Sequence, residues 1–234
     1  MSPFLEDRFL CVGHRGASGH APENTLKAFA LALEQGADAL EFDVHCAEDA
    51  LVVIHDDDLA RTTSGRGSVA DTRLEALRAL DAGDGERIPL LEEVLDLVAG
   101  RVPLNIELKG PGTGAAVVDL LRRRDAAPAS VLLSAFDHDE LAAARAAAPE
   151  YPRGALFGRL RGDPVRACRA VEAVTAHLAL RTVRPGLLAS LADARLPVLV
   201  YTVNDPRKAL ALRDAGVRGV FTDYPDRVRT ALDR

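Results

Sequence analysis

The sequence predicts an α/β protein, a (β/α)8 TIM barrel with a small insertion after strand 2. Short apolar segments alternate with longer amphipathic segments along the whole chain, as in strands and helices built around a parallel sheet. Eight such pairs fit into 234 residues, which is the usual size of a closed barrel. A doubly wound open sheet is the alternative, but no G-x-G-x-x-G sequence follows the first strand, which disfavours it.

The strands are predicted at short runs rich in aliphatic and β-branched residues. They are Arg8–Val12, Asp38–Val44, Val102–Leu108, Ser130–Ser134, Gly154–Phe157, Ala173–His177, Pro197–Tyr201 and Gly219–Phe221.

The helices are predicted between these strands, where apolar residues recur with helical spacing. They are Thr25–Gln35, Leu90–Val98, Ala115–Arg123, Asp139–Ala147, Pro164–Ala170, Pro185–Ala192, Pro206–Ala215 and Pro225–Leu232. Signals at helix ends agree with this assignment. Asn24 is predicted to cap the first helix, Asp205 precedes Pro206 at the start of a late one, and Gly36 follows the end of the first.

One region interrupts the alternation. A turn is predicted at Cys46–Ala50 and a short extra strand at Leu51–His55, and Asp56–Thr72 is polar and rich in Gly and Ser. We therefore expect residues 46–85 to form a small insertion between strand 2 and its helix, within one domain that spans residues 1–234.

Composition excludes several classes of protein. The net charge of −6 argues against a basic nucleic-acid-binding surface. The sequence contains no uninterrupted apolar stretch long enough to cross a bilayer and does not begin like a signal peptide, so we expect no stable membrane insertion. The 3 cysteines are scattered and form no C-x-x-C pair, which favours a reducing, cytoplasmic location. The oligomeric state is left open.

Polar residues collect at the carboxyl ends of strands 1 to 3, where a barrel of this kind places its active site. Alternation along strands 2 and 3 predicts that Glu41, Asp43, Asn105, Glu107 and Lys109 point into the barrel. The aliphatic and aromatic residues between them then face the helices.

Three of these inward residues, Glu41, Asp43 and Glu107, are carboxylates on neighbouring strands. Such a group would repel itself unless it were protonated or bridged by a cation. Oxygen ligands favour a hard divalent cation, so we predict a site for Mg²⁺ or Ca²⁺, with Mn²⁺ as a further candidate.

Four residues beside the carboxylates are candidates for binding and proton transfer. Arg15 and Lys109, together with a cation, would make a site for an anion such as phosphate. His14 and His55 each end a strand-like run, and imidazoles at such a site are suited to acid–base chemistry near neutral pH. We predict a small-molecule phosphate ester as the ligand.

Ordered sequence blocks along most of the chain resemble one enzyme family. His14-Arg15-Gly16 followed by Pro22-Glu23-Asn24-Thr25 is similar to the HRG…PENT signature of the glycerophosphodiester phosphodiesterases. Further similar blocks are Glu41–Val44, Val53–Asp56, Arg61–Thr63, Ile88–Glu93, Asn105–Lys109, Tyr201–Asn204 and Gly219–Pro225.

The resemblance implies a barrel of the phosphatidylinositol-phospholipase-C-like type that hydrolyses glycerophosphodiesters to glycerol 3-phosphate and an alcohol. By carry-over it implies metal ligands at Glu41, Asp43 and Glu107, acid–base catalysis by His14 and His55, and phosphate binding by Arg15 and Lys109. It also implies that Glu23 and Asn24 shape the first loop. Tyr201 departs from the pattern, because Trp is common at that position in the family.

Two other functions and one mechanistic choice remain open at this point. A lysophospholipase D on the same scaffold would need an apolar groove for an acyl chain, and a catalytically silent phosphate-ester-binding module would have a broken set of ligands. Within the hydrolase hypothesis, either water or the 2-hydroxyl of the substrate attacks first, and either histidine is the base.

Overall fold

The computed structural model describes residues 2–234. Nine strands are present in this range: β1 (Leu10–His14), β2 (Ala39–Ala47), β3 (Ala50–Val53), β4 (Leu104–Lys109), β5 (Val131–Ala135), β6 (Arg153–Phe157), β7 (Thr175–Ala179), β8 (Val198–Tyr201) and β9 (Gly219–Thr222).

Nine α-helices accompany the strands over the same range. They are α1 (Leu26–Glu34), α2 (Leu74–Ala79), α3 (Leu91–Val98), α4 (Thr113–Arg123), α5 (His138–Ala147), α6 (Pro164–Ala170), α7 (Pro185–Asp193), α8 (Pro206–Asp214) and α9 (Pro225–Leu232). Many of their starts follow sequence rules. Asp137, Asp163 and Asp205 each accept a backbone N–H as the N-cap residue, and proline occupies the first turn of the last four helices.

Eight of the strands close into a parallel barrel, which confirms the predicted TIM barrel. Around the barrel the order is β1-β9-β8-β7-β6-β5-β4-β2, and pairing of β1 with β2 completes the ring. The remaining strand, β3, pairs antiparallel with β2. A closed ring leaves no free edge among its eight strands, and all eight carboxyl ends point to the same mouth.

Two apolar layers flank the strands. The inner layer lies inside the barrel and includes Leu10, Val12, Leu199 and Phe221, with Phe4 from the N-terminal segment against them. The larger outer layer lies between strands and helices and contains the side chains that alternate with the polar ones on β2 and β4. The predicted inward and outward faces of these two strands are therefore correct.

The strand register places the polar residues side by side. His14 is opposite Glu41 across β1 and β2, Glu41 is opposite Asn105, and Asp43 is opposite Glu107 across β2 and β4. Directly opposed residues on neighbouring strands lie about 5 Å apart. The register alone thus brings residues that are far apart in sequence to one point of the mouth.

The insertion after β2 has a small core of its own. Val52, Ile54, Leu59, Leu77 and Ile88 belong to this separate apolar cluster. The strand β2 continues to Ala47, so the predicted turn is limited to Glu48 and Asp49. The helix α2 was not predicted, because in its six residues only Leu77 is fully buried and the sequence carries little helical periodicity.

The predicted cap at Asn24 is wrong, and the reason bears on the site. Thr25 is the N-cap of α1, and its side chain accepts the backbone N–H of Ala28. Asn24 instead adopts a left-handed conformation with φ of 59° and donates from its amide to Asp43. The Asn24 side chain therefore forms part of the barrel mouth and does not cap the helix.

Candidate active site

The three carboxylates predicted on β2 and β4 converge at the mouth. One oxygen each from Glu41, Asp43 and Glu107 lies within 4.8 Å of the others, and all three residues are buried. The cause is the strand register described above, combined with an inward orientation that repeats every second residue.

Two cationic side chains, one backbone N–H group and one side-chain amide contact these carboxylates. Lys109 Nζ lies 3.2 Å from Asp43 Oδ1 and 2.5 Å from Glu107 Oε1. Arg15 donates its backbone N–H to Glu41 at 3.0 Å, and its Nε lies 3.4 Å from Asp43. Asp43 thus lies at the centre of the cluster: Lys109 contacts its Oδ1, and Arg15 and the Asn24 amide, which donates at 2.9 Å, share its Oδ2.

Burial and the neighbouring charges shift the pKa values of all three carboxyl groups. Burial raises the pKa of Glu41 well above its usual value, and the charges of Asp43 and Glu107 raise it further. Burial and the neighbouring Asp43 likewise raise the pKa of Glu107 to about 7, against the opposing effect of Lys109. Burial would also raise the pKa of Asp43, but Lys109 and Arg15 outweigh it and lower that pKa.

This donor set fits a hard divalent cation. Three carboxylate oxygens within reach of one point are the ligands that Mg²⁺, Ca²⁺ and Mn²⁺ prefer. When all three carboxylates are ionised, the two positive side chains of Arg15 and Lys109 leave one negative charge over. A cation held by Glu41, Asp43 and Glu107 would neutralise that charge.

Both predicted histidines lie at the same cavity, and each is held by a carboxylate. His14 Nδ1 is 2.6 Å from Asp223 Oδ1, and His55 Nδ1 is 2.5 Å from Asp56 Oδ1. Burial would raise the pKa of Asp223, but hydrogen bonds from His14, Asn204 and Ser18 and the charge of His14 outweigh it and lower the pKa to about 2. Asp223 is therefore ionised, and Nδ1 of His14 must carry the proton that is shared with it.

The second histidine has a related environment. Burial lowers the pKa of His55, and the charges of Lys109 and Arg15 add to this against the attraction of Asp43. His55 is accordingly neutral at neutral pH, with Nδ1 toward Asp56. The ring of His45 lies 3.2 Å from the backbone carbonyl of His55 and helps to fix that loop. Neither His14 nor His55 has a protein partner at Nε2 among residues 2–234.

A line of ion pairs connects Arg15 with His55 around the mouth. Arg15 donates to Glu23 at 2.7 Å, and Arg61 donates to the same Glu23 at 2.8 and 2.9 Å. Arg61 also donates to Asp56, the carboxylate that holds His55. Glu23 thus holds Arg15 and Arg61 side by side at the mouth.

The cavity has a volume of about 670 Å³. One side consists of His14, Arg15, His55 and the carboxylates Glu41 and Glu107. The other is formed by residues from β6 to β9 and from the segments that follow β5, β7 and β8. Asp43 lies beneath this surface, 1% exposed. Lys109 is not among the residues that line this cavity; its Nζ contacts Asp43 and Glu107 and lies 5.8 Å from the centre of the Phe136 ring.

Asp223 and Arg61 were not predicted to take part in the site. Both lie in blocks that match the family pattern, but neither received a role from the sequence. A signal was available for Asp223, because it directly follows the last barrel strand at its carboxyl end. Arg61 lies in the insertion, where no regular element predicts the direction of a side chain.

Comparison with known proteins agrees with this geometry. Residues 14–227 match the model of the "Glycerophosphoryl diester phosphodiesterase family". A glycerophosphodiester phosphodiesterase of Caldanaerobacter subterraneus subsp. tengcongensis is 34% identical over 93% of this chain and 95% of its own length. One from Bacillus altitudinis is 35% identical over 92% of this chain and 94% of its own.

A solved structure is similar over nearly the whole chain. It is an Oleispira antarctica phosphodiesterase in complex with the product sn-glycerol-3-phosphate, with a TM-score of 0.90, 33% identity, and coverage of 96% of this chain and 97% of the other.

In residues 2–234 we find no helix with the length and apolar character needed to cross a membrane. The barrel, the match over residues 14–227 and these relatives show that the chain belongs to the glycerophosphoryl diester phosphodiesterase family.

Proposed function

We propose that this protein hydrolyses glycerophosphodiesters to glycerol 3-phosphate and an alcohol, with a divalent cation and a pair of acid–base histidines. The observation that carries the proposal is the convergence of three buried carboxylates with His14, His55 and Arg15 at one cavity. The similarity to an enzyme with bound sn-glycerol-3-phosphate supports the glycerol phosphate half of the substrate. The whole of residues 1–234 is proposed to act as one catalytic domain.

Glu41, Asp43 and Glu107 are the proposed ligands of the cation. A bound Mg²⁺, Ca²⁺ or Mn²⁺ would supply positive charge to the phosphate oxygens and would lower the pKa of a coordinated hydroxyl. Arg15 binds the phosphate from the side of β1, since it lines the cavity beside Glu41. Lys109, which contacts Asp43 and Glu107, contributes a second positive charge for the phosphate.

The histidines divide the proton transfers between them. With Nδ1 engaged by a carboxylate, each ring turns Nε2 toward the substrate. One Nε2 removes a proton from the attacking oxygen, and the other donates a proton to the leaving alkoxide as its bond to phosphorus breaks. Asp223 and Asp56 fix the rings and favour their protonated forms during the reaction.

Two attacking groups are compatible with this arrangement. A water molecule would give glycerol 3-phosphate directly, whereas the 2-hydroxyl of the glycerol would first give a cyclic phosphate that water then opens.

The cellular location of the protein remains a prediction. The free state of Cys11, Cys46 and Cys168 supports a cytoplasmic location.

The test is release of glycerol 3-phosphate from glycerophosphoglycerol and glycerophosphocholine. Protein treated with EDTA is assayed before and after Mg²⁺, Ca²⁺ or Mn²⁺ is restored, one ion at a time. We expect activity to disappear with chelation and to return with at least one ion. Full activity after complete chelation would remove the cation from the proposal, and absence of hydrolysis under every condition would remove the substrate class.

Single variants test the histidines. We expect His14→Ala and His55→Ala to lower kcat by roughly 10²-fold or more, in the range of general acid–base catalysis. His20→Ala is the matched control, because His20 lies near the same loop but pairs with Asp226 outside the cavity. A loss below about tenfold for His14→Ala would contradict its proposed role.

A further inference from the structure

The mouth of the barrel has two sides of opposite charge. The acidic residues come from β2 and β4, on the side where β1 also lies. On the other side, the segments after β6 and β7 carry Arg159, Arg161 and Arg181, and α8 after β8 carries Lys208. These four cations are called the basic side below.

The basic side borders a continuous hollow. Arg181 and Lys208 line the 670 Å³ cavity together with the catalytic candidates. Arg159, Arg161 and Arg181 line an adjoining groove of about 600 Å³. Cavity and groove share Phe136, Leu156 and Arg181, so the groove leads away from the phosphate position toward solvent.

The four cations have no acidic partners. Within residues 2–234, no carboxylate oxygen lies within 4.0 Å of a charged nitrogen of Arg159, Arg161, Arg181 or Lys208. Arg181 makes one hydrogen bond, to the backbone carbonyl of Gly158 at 2.7 Å. No Asp or Glu of the described residues lines the groove. Elsewhere many exposed cations are paired, as Lys27 is with Asp84 and Arg122 with Glu150.

Unpaired cations in a concave surface attract anions more strongly than the same charges on a convex one, because low-dielectric walls focus the field. Guanidinium groups also match the geometry of phosphate oxygens. A cationic group would be repelled there, even though Phe136 and Tyr201 stand edge-to-face with ring centres 5.9 Å apart and offer aromatic surface.

We propose, as an extension of the hydrolase function above, that the basic side binds a phosphate group carried by the leaving alcohol. The preferred substrates are then glycerophosphodiesters whose second alcohol is itself phosphorylated. In the reaction water, or first the glycerol 2-hydroxyl, attacks the diester phosphorus and gives its proton to one histidine; the bond from phosphorus to the leaving oxygen breaks, and that oxygen takes a proton from the other histidine. The terminal phosphate is unchanged and leaves with the alcohol.

Tyr201 contributes a polar group at the junction between the two sides. Its hydroxyl is buried without a hydrogen-bond partner among residues 2–234, and burial raises the pKa of the phenol, so the phenol keeps its proton. It is placed to contact a hydroxyl of the leaving alcohol, between the reacting phosphate and the terminal one.

A matched pair of substrates tests the proposal. Glycerophosphoglycerol and its terminal phosphate monoester differ only in the added phosphate, and glycerophosphocholine supplies a cationic leaving group. At low ionic strength we expect kcat/KM to be at least about tenfold higher for the phosphorylated diester than for glycerophosphoglycerol, and lowest for the choline diester. At about 1 M salt the screening length falls to about 3 Å, and this preference should largely disappear.

Charge-removing variants locate the effect. The doubles Arg181→Gln/Lys208→Gln and Arg159→Gln/Arg161→Gln should each lower the preference for the phosphorylated diester at least threefold. Arg159 and Arg161 lie outside the catalytic cavity, so their double variant should leave hydrolysis of glycerophosphoglycerol little changed. The control Arg166→Gln/Arg207→Gln removes the same charge from exposed residues of α6 and α8 that do not line cavity or groove, and should leave the preference intact.

Binding gives a readout independent of turnover. Both glycerol diesters are titrated by calorimetry into the EDTA-treated protein, and the phosphorylated one should bind at least about tenfold more tightly. Equal rates and equal affinities for the two diesters would overturn the basic side as a phosphate site while leaving the hydrolase function intact. Tight binding without hydrolysis of any diester would support the basic side and overturn the hydrolase function.

Discussion

His14 and Asp223 form a direct contact, with Nδ1 and Oδ1 2.6 Å apart, although 209 positions separate them in the sequence. The contact exists because β1 and β9 are neighbours in the closed barrel and both end at the mouth. Ser18 and Asn204 also donate to Asp223, at 2.9 and 2.6 Å. The carboxylate is therefore held on three sides, and the ring of His14 is held through it.

Replacing Asp223 tests this arrangement. Asp223→Asn keeps the size of the side chain but removes the charge that holds Nδ1–H of His14. We expect kcat to fall by roughly 10²-fold or more with a smaller change in KM, because the ring loses its orientation and the stabilisation of its protonated form. Asp226→Asn is the control, since Asp226 pairs with His20 outside the cavity. Equal kcat for both variants would contradict the role of Asp223.

The Arg61 side chain gives a second prediction. It joins Asp56 and Glu23, and through them His55 and Arg15. Arg61→Gln should lower kcat/KM by roughly tenfold without loss of the fold, since the carboxylates remain but their alignment relaxes. Arg61→Lys should recover less than half of the loss, because an ammonium cannot form the same fork of bonds. Arg66→Gln, in the same insertion, should have no effect; a matching loss there would point to the insertion as a whole.

Removal and return of a divalent cation should change the thermal stability. A cation that binds only the folded protein stabilises it by about 2.7 kcal/mol at a hundredfold excess over Kd. We expect Tm of the EDTA-treated protein to rise with added cation, and the rise to vanish in Glu41→Gln and Asp43→Asn. Glu92→Gln is the control, because Glu92 is exposed on α3. An unchanged Tm shift in Asp43→Asn would argue against the carboxylate cluster as the site.

His177 should make the fold sensitive to acid. It is fully buried, with Thr175 3.0 Å from Nε2 and the Phe221 ring beside it, and burial lowers its pKa from 6.5 to about 3. The unfolded chain takes up this proton near pH 6.5 while the folded protein does not. The contribution of the neutral His177 to the free energy of unfolding is therefore complete above pH 6.5. It is lost as the pH falls from 6.5 toward 3, by about 1.4 kcal/mol per pH unit.

Denaturant unfolding between pH 7 and pH 4 measures this effect. His177→Gln should lose stability less steeply than the wild type over that range, whatever its stability at pH 7. His20→Gln, at a partly exposed position, should follow the wild-type slope. Parallel curves for wild type and His177→Gln would mean that His177 takes up its proton without unfolding.

Much of the site was predicted by one periodic rule. In β2 and β4 every second side chain faces the barrel, and a carboxylate, amide or ammonium stands at nearly every inward position near the strand ends. Glu41, Asp43 and Glu107 could therefore be grouped from the sequence alone, and their convergence within 4.8 Å agrees with that grouping. Their role as ligands remains a prediction, as do the roles of the two histidines.

By itself the sequence determined the alternation of strands and helices, the inward faces of β2 and β4, and the residue types at the carboxyl ends of the strands. These depend on local periodicity and on short blocks of residues. Only the tertiary structure decided which carboxylate holds which histidine, and that the Asn24 amide donates to Asp43 instead of capping a helix. It also decided that four cations line one hollow: Arg159, Arg161, Arg181 and Lys208. Those relationships depend on the closure of the ring and on the paths of loops, which bring distant segments together at distances that no local pattern encodes.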